Sequence, residues 1–195
     1  MNKKIISIFL LYFLQFFATS CCECDPVRTY ERTYNSLELK TWNTSGFQSM
    51  EVSNSAPKNS FGLTIAIEFE LNQVSYHKSK LDFSSFGYTS TYASSCDCLP
   101  DEYINIDPID SITIVVTNAE SKETIDVTNN FTTYGYDGEE LTISKLFKNR
   151  ADWHDGFQVD MTEYDNIPDI SIFTVKIILD SGTEIIKQTQ EINFK

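Results

Sequence analysis

Basic residues are in short supply. The chain has 15 Lys and Arg against 28 Asp and Glu, a formal net charge of −13 at pH 7 and a pI near 4.5. Such a surface repels phosphate backbones and anionic headgroups, which argues against nucleic-acid binding and against a basic patch docking on acidic lipid. Histidine is scarcer still: His77 and His154 are the only two. No G-x-S-x-G, H-E-x-x-H, P-loop or G-x-G-x-x-G motif occurs. Those absences remove the common signatures of serine hydrolases, zinc proteases and nucleotide enzymes, so no enzyme activity and no cofactor are expected. With 7 Gly and 5 Pro in 195 residues, the composition is that of a packed chain rather than a disordered one. No internal repeat, heptad or low-complexity tract is visible. The longest apolar run, "IISIFLLYFLQFF" from Ile5 to Phe17, has 13 residues and is broken only by Ser7 and Gln15. Crossing a bilayer core takes about 20.

That run is informative for what surrounds it. Lys3 and Lys4 precede it, and Ala18, Thr19 and Ser20 follow, directly before Cys21. A basic start, a short apolar run and small residues before a cut site describe a secretory signal. Small residues ending in Ser before Cys also resemble the lipobox of bacterial lipoproteins, in the loose form of Bacteroidota lipoproteins, with Ala18 where Leu is usual. The resemblance implies cleavage after Ser20 and acylation of Cys21. Several acyl chains would then hold the protein to the cell envelope, at the outer membrane, since a single chain binds only marginally. The plain alternative is an ordinary signal peptide, with Cys21 a simple thiol.

Four further cysteines form two matching pairs, Cys22 and Cys24 in "CEC" and Cys96 and Cys98 in "CDC". In an exported chain an even set is expected as disulfides. A bond inside C-x-C closes a strained ring, so both bonds are expected to run between the motifs. Cys22–Cys98 with Cys24–Cys96, and Cys22–Cys96 with Cys24–Cys98, both stay open. A four-thiolate zinc site is the rival, although zinc sites usually space their cysteines as C-x₂-C. The first bond closes a loop of roughly 73 residues, worth about 4 kcal/mol in the chain-entropy model, and the second adds far less.

Strand patterns dominate the remainder. In "FGLTIAIEFEL", Phe61 to Leu71, residues Leu63, Ile65, Ile67, Phe69 and Leu71 share one face at period two, which predicts a half-buried strand. "SITIVVTN" from Ser111 and "ETIDVT" from Glu123 predict two more, and "SLELKTW", Ser36 to Trp42, a weaker one. "FTVKIILD", then Ser181–Gly182, then "TEIIKQTQEINF" predicts a closing hairpin. Glu139 to Arg150 is the best helix candidate, weakened by Thr142 and Ile143, with a strand and turn as the alternative. The polar, Tyr- and Ser-rich stretch 72–110 is expected to be a long loop pinned by the disulfides. About seven or eight short strands predict an all-β fold, an immunoglobulin-like or similar antiparallel β-sandwich with little helix. Residues 1–20 are expected to form the lipoprotein signal and 21–195 a single β-sandwich domain anchored through Cys21.

Two constellations could hold a ligand. "NRADWHDGFQVDMTEYDN", Asn149 to Asn166, contains Asp152, Asp155 and Asp160 as weak candidate metal ligands, but the spacing is not that of an EF-hand. Solvated carboxylates on an acidic protein are the blander reading, and a glycosidase-like pair of acids can be drawn among so many carboxylates without specificity. The second constellation is aromatic: Tyr134 and Tyr136 in "TTYGYDG", with Trp153 and His154 in the acidic stretch. Aromatic rings beside carboxylates and amides suit sugar rings or a partner protein, against core packing as the plain reading for Trp153.

The start "SCCECDP", "SFGLTI" around Phe61, "DSITI" at Asp110 to Ile114 and the strand pair from "FTVKI" resemble a group of Bacteroidota lipoproteins of unassigned function. The resemblance implies an exported, single-domain, mostly β lipoprotein and supplies no functional residues. It also makes Ser111, in the triplet "DSI", a candidate O-glycosylation site. The function expected is a membrane-anchored module binding a glycan or an envelope protein. The alternatives are a structural or accessory subunit of an envelope complex and, third, an Asp/Glu-dependent hydrolase.

Overall fold

The structure is a computed structural model, which describes residues 26–77, 100–135, 138–149 and 156–195. Among them the chain forms β1 (Val27–Asn43), β2 (Met50–Glu51), β3 (Ser55–Ala56), β4 (Phe61–His77), β5 (Glu102–Asn105), β6 (Ile109–Asn118) and β7 (Thr124–Asp126). Then come β8 (Phe131–Tyr134), β9 (Glu140–Thr142), helix α1 (Ile143–Asn149), β10 (Phe157–Met161), β11 (Ile170–Leu179), β12 (Glu184–Gln188) and β13 (Ile192–Phe194). They build two mainly antiparallel sheets. The first runs β2-β1-β4-β10-β8-β9, with β5 also on β1; the second runs β3-β13-β11-β6-β7, with β12 also on β11. The protein is an all-β sandwich.

The chain divides into two compact units. The smaller contains, among the described residues, 26–30, 73–77 and 100–104: the start of β1, the end of β4 and most of β5. There Tyr30 and Tyr103 stack with centroids 5.6 Å apart. The larger unit, from Glu31 to Asn72 and from Asn105 to Lys195, holds the core.

Strict alternation explains the longest strands. In β11, Ser171, Phe173, Val175, Ile177 and Leu179 are buried while the residues between them are half-exposed. Paired β6 buries Ile112, Ile114 and Val116 in step, and β4 buries Phe61, Leu63, Ile65 and Ile67. Period two sends these side chains to one face, where the opposite sheet covers them. At the centre Phe61 of β4 stacks on Phe173 of β11 at 4.9 Å, and Phe173 meets Phe131 of β8 edge-on at 5.9 Å and Phe194 of β13 at 6.1 Å. Burying each such ring is worth about 1.5–3 kcal/mol, and the quartet joins both sheets.

Several elements differ from expectation. The weak strand at Ser36–Trp42 is part of a 17-residue strand. The expected loop over 72–110 is strand at both ends, since β4 extends to His77 and β5 and β6 begin at Glu102 and Ile109; residues 78–99 lie outside the described residues. The hairpin after Leu179 forms as predicted, with Gly182 at φ +84° and Leu179 bonded to Thr183. Its second arm is two strands, because the Thr189 hydroxyl accepts from the Phe173 N–H, ends β12, and lets β13 pair with the start of β11. Glu139–Arg150 is not one helix. Glu140–Thr142 is strand and Ile143–Asn149 helix, and the Thr142 hydroxyl accepts from the Lys145 N–H at 3.4 Å as an N-cap. No described helix is long and apolar enough to cross a membrane.

Candidate functional site

The outward face of the first sheet carries the most site-like arrangement. Leu37 and Thr41 of β1 are buried and Leu39 packs on the core. Trp42 is out of phase with all three, so its ring stands on the outer face. There the indole N–H donates to the Thr64 hydroxyl of β4 at 2.8 Å. That bond leans the ring across onto the neighbouring strand. Next in the sheet, β10 sets Gln158 opposite Thr64 and Asp160 opposite Gly62. β8 then sets Thr132 opposite Asp160, and Tyr134 stands two residues further along β8, on the same face as Thr132. Tyr134 is 64% exposed and pairs with Glu140 of β9.

The result is a row crossing five strands: Trp42, Thr64, Gln158, Tyr134 and Glu140, with Asp160 beside it. Its polar groups are positioned by one another. The Gln158 amide donates to Asp160 Oδ1 at 3.2 Å, and the Thr132 hydroxyl donates to Glu140 Oε1 at 2.8 Å. The floor is low. Gly156, at φ +105°, lies against Ile65 and Ala66 so closely that a Cβ would stand 2.3 Å from the Ile65 carbonyl oxygen. At Gly62 a Cβ would stand 2.6 Å from Asp160 Oδ1. Two aromatic residues separated by polar side chains with carboxylate and amide acceptors can stack a planar or puckered ring and bond its hydroxyls.

Of the residues expected from sequence, Tyr134 and Asp160 fall on this face. The Asp160 carboxylate accepts from Gln158, and among the described residues no group of three His, Cys, Asp or Glu is gathered closely enough to hold an ion. Ser111 is half-buried in β6, opposite Ile178. Tyr136, Asp152, Trp153, His154 and Asp155, with Cys21, Cys22, Cys24, Cys96 and Cys98, lie outside the described residues. The end of the acidic stretch, Thr162 to Asn166, lines an open concavity of about 460 Å³. It is shaped by buried Asn130, whose amide donates to the Glu163 carbonyl and to Asn166 Oδ1, both at 2.8 Å.

Trp42, Thr64 and Gln158 are residues that sequence reasoning misses. The signal for Trp42 is present in "SLELKTW", where the aromatic breaks the phase of Leu37 and Leu39. Thr64 and Gln158 carry no signal of their own; they join the site only through register. No family model, curated protein or solved structure matches this chain.

Proposed function

We propose that the protein is an exported, lipid-anchored module of a bacterial cell envelope that binds a glycan on the outer face of its first sheet. The observation behind the glycan is the row from Trp42 to Tyr134, in which a fixed indole and an exposed phenol flank Thr64, Gln158 and Asp160. The anchor rests on Lys3, Lys4, the short apolar run and Ala18-Thr19-Ser20 before Cys21. Labelled palmitate should enter the wild-type protein and not Cys21→Ala. On a glycan array the protein should bind at least one class, and Tyr134→Ala should lose most of that signal. An array blank for the folded protein sinks the glycan reading.

A second reading, the accessory subunit of an envelope complex, draws on Phe47 and Met50. Both are apolar and strongly exposed, Phe47 completely so, around the turn that enters β2, and such groups suit a protein contact. A stoichiometric partner that co-purifies from membranes with the wild type and is lost from Phe47→Ser would favour it.

A further inference from the structure

We infer that the ligand of this face is an uncharged chain of sugars lying across the strands, and that acidic polysaccharides are refused; the inference rests on the glycan reading above. Charge is the first ground. Asp160 and Glu140 stand in the row, and Glu68 and Glu70 follow along β4, accepting from Ser36 and from Asn35. Lys40 on β1 is 3.6 Å from Glu38. Uronate, sulfate or phosphate groups laid on this row would meet carboxylates with no cation in the row itself among the described residues, on a protein whose net charge is already −13. Hydroxyl groups meet no such obstacle. Asp160 and Glu140 are each held by a neighbour through one oxygen, and a carboxylate has acceptor capacity beyond one bond.

Length is the second ground. From β1 to β8 the row crosses three inter-strand gaps, about 14 Å at the usual spacing. One sugar ring cannot touch Trp42 and Tyr134 together, whereas a short chain can. The direction follows from the two aromatic residues: Trp42 on β1 and Tyr134 on β8 stand at the ends of the row, so a chain that touches both crosses the strands.

Native affinity electrophoresis of the full mature chain tests this, with galactomannan, xyloglucan and hydroxyethylcellulose as neutral probes and polygalacturonate and heparin as acidic ones. At least one neutral probe should retard the protein and the acidic probes should not. Retardation should change by less than about twofold between low and high salt, since no ion pair is formed. An oligosaccharide of three or more units should compete and its monosaccharide should not. Tyr134→Ala, at an exposed position that leaves the fold alone, should weaken binding about tenfold; Trp42→Phe keeps a ring in place and should weaken it less than Trp42→Ala. Retardation by acidic probes alone, or full competition by a monosaccharide, overturns the inference while leaving glycan binding standing. Retardation by none of the probes, with a blank array, overturns both.

Discussion

The backbone N–H of Arg28 donates to Asp101 Oδ1 at 3.0 Å, across 73 residues of chain. Thr29 meets Glu102 and Arg32 meets Asn105 at the same separation. A constant offset means that β1 and β5 run in the same direction. Both cysteine motifs stand a few residues before these contacts, Cys22 and Cys24 before Arg28, and Cys96 and Cys98 before Asp101. The pairing of β1 with β5 brings the starts of these two strands together, so non-reducing peptide mapping should find cross-links between the 22–24 and 96–98 peptides. Free thiols in both motifs, or bonds only within each motif, would refute the expectation.

Phe173 touches Phe61, Phe131 and Phe194, and so ties β11 to both sheets. Truncation removes a fully buried ring and leaves a cavity between sheets that cannot close independently. Phe173→Ala should cost about 3–5 kcal/mol in urea unfolding, and Phe173→Leu much less. Equal losses for the two would show that the ring contacts are not what the position requires.

The strands that sequence makes readable are those whose alternation is enforced by burial on one side. In β4, β6 and β11 each inward residue is aliphatic or aromatic, with few exceptions. β1 hides its length because its buried positions, Thr29, Arg32, Tyr34 and Leu37, change phase along the strand and include a charged group. Arg32 is housed over the Phe69 ring, 4.6 Å from its centroid, a partner 37 positions away that no local pattern reveals. The outer face of the first sheet follows the same logic. Tyr134 is visible as an aromatic beside a turn, while Trp42, Thr64 and Gln158 become neighbours only through register between β1, β4 and β10.

Two glycines with positive φ separate conformational from steric demand. Gly182, at φ +84°, has nothing within 4 Å of where a Cβ would stand, so Gly182→Ala should cost only the left-handed backbone term, about 1–2 kcal/mol. Gly156, at φ +105°, would place the same methyl 2.3 Å from the Ile65 carbonyl oxygen and 2.7 Å from Ala66 Cα. Gly156→Ala should cost about 3 kcal/mol or more, as backbone strain and overpacking add. It should also weaken any glycan binding by separating β10 from β4 beneath the row. Thermal unfolding of both variants decides the matter, and equal shifts would contradict the close approach.

Asn130 governs the acidic loop through its donors. Its amide bonds the Glu163 carbonyl and Asn166 Oδ1, and its own backbone carbonyl accepts from the Thr162 and Glu163 N–H groups. Asn130→Ala keeps the backbone bonds and deletes the two amide donations, leaving the Glu163 carbonyl without that donor; the expected cost is about 1–3 kcal/mol. Asn130→Asp should cost more. A carboxylate keeps the shape but turns the donor into an acceptor, facing a carbonyl that can only accept. The Asn166 amide can turn its NH₂ group inward to meet the new charge; the Glu163 carbonyl has no such freedom. Proteolysis between Thr162 and Asp169 should accelerate in the order wild type, Asn130→Ala, Asn130→Asp. If Asn130→Asp were instead as resistant as the wild type, the side chain would be a spacer rather than the donor that shapes the loop.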